Sequence, residues 1–409
     1  MRIALLGYGK EGRAAERYFG GKFGAEFEIL TDFTDAEVAE RDFSEFDLVL
    51  RSPSVRPHEG WSSLTQYFFE NCPCPIIGVT GTKGKGTTCS LIKSLLEALG
   101  KKVFLVGNIG VPAIEVLDEL TADSVAVYEM SSFQLWDLEI SPEVAVVLPI
   151  EPDHLNVHRD FDEYVEAKAN IARFQDATDF VIYYSKNEFS RRIADISDAE
   201  KVAYPNDKYD LVIRENLAIP GRHNRENAEA ALRAVAAYLG MTIDELLEKY
   251  PDEVARGLHD FKGLPHRLEF LRTLGGVDYY DDNFATNPAS TKVALEAFPE
   301  RKVVLILGGR DKTGGEDYLE VVSLLKSPNV VRAILMGESG HDITAKYPEL
   351  PNTEVVESLA EAVIAAKTYA DDIEEGGLVL MSPAAASFDM FENVYDRGKQ
   401  YQKIVKALS

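Results

Sequence analysis

The sequence predicts an α/β protein of three domains in series: a Rossmann-like N-terminal domain, a central domain with a mostly parallel sheet, and a Rossmann-like C-terminal domain. Three observations predict it. Residues 76–262 alternate short apolar strands with helical stretches, the pattern of a parallel sheet covered on both faces. The chain opens with a strand, Arg2–Leu6, that runs into Gly7-Tyr8-Gly9-Lys10-Glu11-Gly12 and a helix starting near Arg13. A further set of strands follows position 263, and 409 residues exceed what one hydrophobic core organises.

Within residues 1–75 the second strand, Phe27–Leu30, ends near Asp32, where a dinucleotide fold places its ribose-binding acid. A third strand, Asp47–Leu50, leads into Ser52-Pro53-Ser54. Asn71-Cys72-Pro73-Cys74-Pro75 then reads as a linker, because its two prolines block helix and sheet alike. This Rossmann-like domain carries a GxGxxG turn that suits a phosphate or pyrophosphate without naming the ligand.

Residues 76–262 follow, with strands expected at Ile76–Thr80, Val103–Val106, Ser124–Met130, Val144–Pro149 and Phe180–Tyr184. The first runs into Gly81-Thr82-Lys83-Gly84-Lys85-Gly86-Thr87-Thr88 and a helix expected over Cys89–Gly100. Strand, glycine turn, lysine and helix N-terminus together form a cradle for a polyphosphate, so this is a P-loop ATPase domain. The loop departs from Walker A at Val79, where a glycine is expected, and at Gly86, where a Ser or Thr is expected. Polar groups gather after the strand ends, where open α/β sheets bind ligands: Asn108, Glu129 with Ser131 and Ser132, then Asp153 and His154. Gly221–Asn227 opens an alanine-rich helix through Leu239.

Residues 263–409 form a second Rossmann-like domain. Its strands are expected at Val277–Tyr280, Lys302–Leu307, Ala333–Met336, Thr353–Val356 and Gly377–Met381, with polar loops at 281–283, 308–312 and 382–387. No internal repeat or low-complexity tract interrupts the chain.

Composition bounds the function. Apolar residues make up 45% and charged residues 27%, as in ordinary globular proteins. The net charge of −25 argues against sequence-independent nucleic-acid binding. The three cysteines, Cys72, Cys74 and Cys89, lack zinc-site spacing and read as reduced thiols. No apolar run is long enough for a signal peptide or a membrane span, so a cytoplasmic protein is expected.

The motif order resembles one family. Thr80–Lys85, Glu129-Met130-Ser131-Ser132-Phe133-Gln134-Leu135, Asp153-His154, Lys168, Gly221–Asn227, Leu264-Pro265-His266-Arg267 and Ser382-Pro383-Ala384-Ala385-Ala386-Ser387-Phe388-Asp389 are together similar to the Mur ligases. The resemblance covers essentially the whole chain and is strongest to members that add D-glutamate to UDP-N-acetylmuramoyl-L-alanine. It implies an ATP-dependent ligase of peptidoglycan synthesis, acting as a monomer on small molecules. ATP would activate a carboxylate as an acyl phosphate that the incoming amine attacks, with magnesium at two sites. Both steps concentrate negative charge, so cations carry most of the catalysis.

The resemblance also implies residue roles. Gly81–Thr88 would bind ATP, with Lys85 on the β- and γ-phosphates. Thr87, Glu129, His154 and Lys168 would hold metal, Thr87 replacing the hydroxyl that Gly86 lacks. Lys168 would be carbamylated by carbon dioxide, turning a helix-surface cation into an anionic ligand. Asn227 would contact adenine, an N-cap role being the rival and better suited to Asn224. Arg267 and Asp282 would reach the nucleotide from the third domain as it closes. Gly9, Lys10, Glu11 and Gly12 would hold the UDP pyrophosphate, Asp32 the uracil end, and Asn108, Ser131 and Gln134 the rest of that substrate. Lys312 and Ser387 would hold the amino acid.

Two neighbours depart from the family. Phe284 stands in Asp282-Asn283-Phe284-Ala285-Thr286-Asn287 where a lysine is usual, and Val394 stands where a larger aromatic is common, beside Tyr395. Without that cation, Arg310 is the candidate to compensate a dicarboxylate. The rivals are a folylpolyglutamate synthase-like ligase, which shares the Gly-Thr-Lys-Gly-Lys-Gly loop but lacks a separate first domain, and a non-catalytic nucleotide sensor. The set Lys85, Glu129, His154 and Lys168 speaks against the sensor.

Overall fold

The computed structural model describes residues 1–312, 314–374 and 376–409, with Asp35 described by its backbone only. Its strands form three sheets. The first holds β1 (Arg2–Leu6), β2 (Glu26–Leu30), β3 (Leu48–Arg51) and β4 (Ser62–Ser63), in the order β2-β1-β3-β4 and all parallel. The second holds β5 (Ile76–Thr80), β6 (Lys102–Gly107), β7 (Ser124–Glu129), β8 (Val144–Val147), β9 (Phe180–Tyr184) and β10 (Glu200–Tyr204). Its order is β10-β9-β8-β5-β7-β6, again parallel throughout. The third holds β11 (Glu269–Leu274), β12 (Val277–Asp281), β13 (Val303–Gly308), β14 (Val330–Met336), β15 (Thr353–Val356) and β16 (Leu378–Met381). Their order is β11-β12-β16-β13-β14-β15, and β11 alone is antiparallel.

The strand centres follow from composition. β5, β7, β8, β13 and β16 are buried at every position, as apolar runs in the middle of a helix-covered parallel sheet must be. The sequence reading missed three strands, all at sheet edges. β4 is two residues long, β10 is mostly exposed, and β11 pairs with β12 across the Gly275-Gly276 turn. That Gly-Gly pair between alternating runs is a hairpin signal that the sequence does contain.

The chain packs as two compact units, Met1–Leu217 with Arg225–Phe261, and Ala218–Asn224 with Lys262–Ser409. In the first unit one apolar cluster joins the first two sheets: Ile3, Leu5, Phe19 and Phe68 share it with Ile76, Tyr128 and Met130. Arg51, whose side chain is fully buried, reinforces the join through an ion pair with Asp137 and hydrogen bonds to the carbonyls of Val55 (3.1 Å) and Phe133 (3.0 Å). No helix among the described residues is long and apolar enough to cross a membrane.

In the second unit Arg397, also fully buried, ties the last helix, Val394–Ala407, to the loops beyond β12 and β16. It donates to Asn283 Oδ1 (2.6 Å), to the Asn283 carbonyl (3.1 Å) and to the carbonyls of Ala385 (3.2 Å) and Ala386 (3.3 Å). Next to it, Asp282 accepts from Ser382 Oγ (2.8 Å) and Leu268 N (3.2 Å), yet burial raises its pKa to about 7.

Arg397→Met strands several buried carbonyls, so chemical denaturation should show a loss of about 3 kcal/mol or more. Asp282 predicts a pH effect. Its folded pKa lies above the unfolded value, so the native state binds the extra proton and stability falls as pH rises from about 4 towards 7. Asp282→Asn should flatten that part of the stability profile, at roughly 1.4 kcal/mol per pKa unit removed; an unchanged profile would show that the group does not titrate there.

Candidate active site

The glycine loop links β5 to the helix Lys85–Ala98, which begins four residues earlier than the sequence suggested. Gly84 sits at its N-cap with φ +86° and no side chain caps it, so the first-turn N–H groups stay available to an anion. The glycines are steric requirements. A Cβ on Gly81 would lie 2.6 Å from Leu148 Cβ, and one on Gly84 would lie 2.6 Å from Asn227 Oδ1. The second contact places Asn227 against the loop. The helix carrying it, Arg222–Tyr238, starts before Asn224, so neither asparagine is an N-cap; Asn224 donates back to the Pro220 carbonyl at 2.6 Å.

Two lysines meet beneath the loop. Lys85 Nζ donates to the carbonyls of Gly81 (3.1 Å) and Thr82 (3.0 Å). Lys168 Nζ donates to the same Gly81 carbonyl (3.0 Å) and to Thr80 Oγ1 (3.2 Å), and lies 4.7 Å from the centre of the Tyr164 ring. Lys168 is only 1% exposed, although its helix, Phe161–Arg173, would ordinarily put a lysine in water. Burial, and then the charge of Lys85, push its pKa well below the ordinary value, while Asp153 and Glu129 pull the other way. The sequence gives Thr80 and Tyr164 no role of their own. The Tyr164 hydroxyl is 3.1 Å from Thr82 Oγ1, and the i, i+4 spacing from Tyr164 to Lys168 was the available signal.

Glu129 ends β7 with its carboxylate almost fully buried and held by Asn108 Nδ2 at 3.0 Å. Thr87 lies in the first helical turn, and the neighbouring Thr88 hydroxyl is buried without a partner. Carboxylate and hydroxyl oxygens suit a hard divalent cation, and the unpartnered Thr88 hydroxyl is a buried polar atom that calls for a partner. His154 stands further out. It takes φ +54°, its Nε2 is 3.6 Å from Asp153 Oδ2, and its ring leans on Phe133 at 5.0 Å. No hydrogen bond joins it to Glu129 or Lys168 among the described residues. His158, which the sequence reading did not single out, is buried, stacks on Phe133 and bonds Ser132 Oγ at 2.9 Å, so it shapes this turn.

The first-sheet residues converge on the second sheet. Gly9 precedes the helix Lys10–Phe23, and a Cβ on Gly12 would lie 2.6 Å from the Gly7 carbonyl. Lys10 Nζ reaches the Gly110 carbonyl (3.1 Å). Ser131 and Gln134 form a capping box, and the Gln134 amide donates to Glu11 Oε1 (2.8 Å). The Glu11 side chain is thereby committed to Gln134, and burial raises its pKa against the lowering effect of that bond; its backbone remains the part suited to an anion. Asp32 is exposed beyond β2.

The second unit contains a pocket lined by Thr286, Asn287, Arg310, Lys312, Tyr318 and Ser339, among others. Lys312 Nζ donates to the Thr286 carbonyl at 3.1 Å. Ser387 is 1% exposed with an unpartnered hydroxyl. Phe284 gathers Arg267, whose guanidinium lies 5.3 Å from its ring centre, and Tyr395, edge-on at 5.3 Å. Arg267 and Asp282 belong to this unit, beside the end of β12.

Residues 79–235 match the Mur ligase middle domain and residues 266–385 the Mur ligase glutamate ligase domain. A Clostridium kluyveri protein called UDP-N-acetylmuramoylalanine--D-glutamate ligase is 34% identical over 399 residues, covering 89% of this chain and 83% of its own length. Among solved structures, UDP-N-acetylmuramate-alanine ligase MurC from Thermotoga maritima superposes with a TM-score of 0.60 at 18% identity, over 100% of this chain and 99% of its own. Folylpolyglutamate synthase from the same organism gives 0.56 at 14% identity, over 84% of this chain and 93% of its own, a likeness of fold alone. The two domain matches and the extent of the sequence similarity establish that the chain belongs to the Mur ligase family.

Proposed function

We propose that this Mur ligase joins D-glutamate to UDP-N-acetylmuramoyl-L-alanine through an acyl phosphate, in the cytoplasm. The observation that carries the reading is Lys168: an amine sealed under a phosphate loop, depressed in pKa, with Glu129 among the charges that act on it. A lowered pKa enlarges the share of the neutral, nucleophilic amine. Its nitrogen can add to carbon dioxide, forming an N–C bond and releasing one proton, to leave an anionic carbamate. That supplies an oxygen donor where the bare lysine offers a cation. The Clostridium kluyveri relative at 34% identity, called UDP-N-acetylmuramoylalanine--D-glutamate ligase, supports the same substrates.

The loop amides of Gly81–Thr88 and Lys85 hold the triphosphate, with Asn227 beside Gly84 on the base side. Magnesium neutralises the charge of the phosphates and the acyl phosphate when bound. Thr87, Glu129 and His154, with carbamylated Lys168, would hold it, in two sites. Gly9–Gly12, Asn108, Ser131 and Gln134 orient the UDP substrate, with Asp32 at its uracil end. Arg267 and Asp282 contact the nucleotide, while Lys312 and Ser387 take the amino acid. Domain limits near 75 and 262 follow from these roles. The four-stranded first sheet argues against a folylpolyglutamate synthase activity. Phe284 favours one second reading, the same ligation with another acidic amino acid, because an aromatic ring stands where a cation would assist a second carboxylate.

Phosphate release measured with ATP, magnesium, UDP-N-acetylmuramoyl-L-alanine and either glutamate isomer should appear with D-glutamate. No release with either isomer refutes the assignment, and release with a different acidic amino acid selects the second reading. Lys168→Ala should lower kcat by about 10²–10³-fold, the scale for losing one preorganised electrostatic contact, and added bicarbonate should raise the activity of the unaltered chain. A fully active Lys168→Ala variant would exclude the carbamate.

A further inference from the structure

We propose that Cys72 and Cys74 form a reversible dithiol–disulfide site, oxidised by small-molecule disulfides, on the segment joining the first sheet to the second. The helix Leu64–Asn71 ends with Cys72 at its C-cap, and β5 starts two residues after Cys74. The two sulfurs lie 3.6 Å apart, and Cys72 Sγ is 3.4 Å from the Cys74 carbonyl. A disulfide needs about 2.0 Å between sulfurs, so side-chain rotation closes most of the gap. Pro73 between them has a fixed φ, which limits how far the pair can separate.

Both flanks are pinned. On one side the helix supplies Cys72; on the other the Pro75 carbonyl accepts from Ala126 N (3.0 Å) and Ile76 N donates to Glu143 Oε2 (2.9 Å). The two thiols are not equivalent. Cys72 is half-buried and open to a reagent, while Cys74 is only 5% exposed. A hydrogen bond from the Cys74 thiol favours the Cys72 thiolate, against the effects of burial and of Glu143. Cys89 is buried completely in the helix Lys85–Ala98, far from any reagent's reach, and serves as an internal control.

The chemistry balances with a disulfide RS–SR as oxidant. The Cys72 thiolate attacks one sulfur, forming Cys72–S–SR and releasing RS⁻. Cys74 then loses its proton and attacks Cys72 Sγ, expelling the second RS⁻. The two thiols are oxidised by two electrons, RS–SR is reduced to two RSH, and the two cysteine protons end on those thiols. In reducing compartments such disulfides are transient and serve sensing rather than structure.

Reduced full-length protein treated with oxidised glutathione tests this by thiol titration and peptide mass. Titratable thiols under denaturing conditions should fall from three to one, with the peptide containing Cys72 and Cys74 two hydrogens lighter and restored by dithiothreitol. Cys74→Ser should stop at one glutathionyl group on Cys72. If that variant does not fold, the unaltered chain still decides. Three thiols remaining, a lasting glutathione adduct on Cys72, or a disulfide-linked dimer would each overturn the proposal.

Discussion

The phosphate loop is organised around an amine hidden from water. Lys168 donates hydrogen bonds to the Gly81 carbonyl and the Thr80 hydroxyl, and Lys85 also bonds that carbonyl. Two amines on one acceptor, one of them desolvated, cannot both be comfortably charged. The loop therefore disfavours the charged form of Lys168, at the end of a strand that is buried at every position. That tension distinguishes this loop from an ordinary P-loop with a single lysine. Tyr164 lies beneath the amine, and its hydroxyl meets Thr82, so helix and loop are fastened at the same point.

The first and second sheets behave as one body because their contact is both apolar and ionic. Phe68 and Phe69 pack on Tyr128, Arg51 reaches Asp137, and Arg56 bonds Glu163 at 3.1 Å and the Val157 carbonyl at 2.8 Å. The capping box at Ser131 and Gln134 extends the contact to Glu11. A substrate held by the first sheet is thus referenced to the end of β7, where Glu129 stands. The price is that Glu11 is spent on structure and cannot grip a ligand with its carboxylate.

The second unit uses a different solution. Arg397 fastens the 282–287 and 385–386 loops from below, so the residues between them take their places from one buried guanidinium. Phe284 then carries Arg267 and Tyr395 on its ring, an aromatic support in place of a charged one.

Much of this was legible in the chain. The apolar runs that became β5, β7, β8, β13 and β16 announce parallel strands, and the glycines at 81 and 84 announce the loop, because burial and backbone geometry act locally. The edges were not legible: β10 is mostly exposed and β11 half-exposed, and the pairing of both depends on what lies beside them. The same limit governed the site. Lys85, Glu129 and Lys168 stand out by position, but only packing decided that Lys168 faces inward, that Glu11 turns to Gln134, and that His154 stays exposed. Strand period and turn chemistry are properties of neighbouring residues, whereas desolvation and ion pairing arise between residues tens of positions apart. Sequence alone determined the family and the order of its elements; the tertiary structure decided which charges are buried.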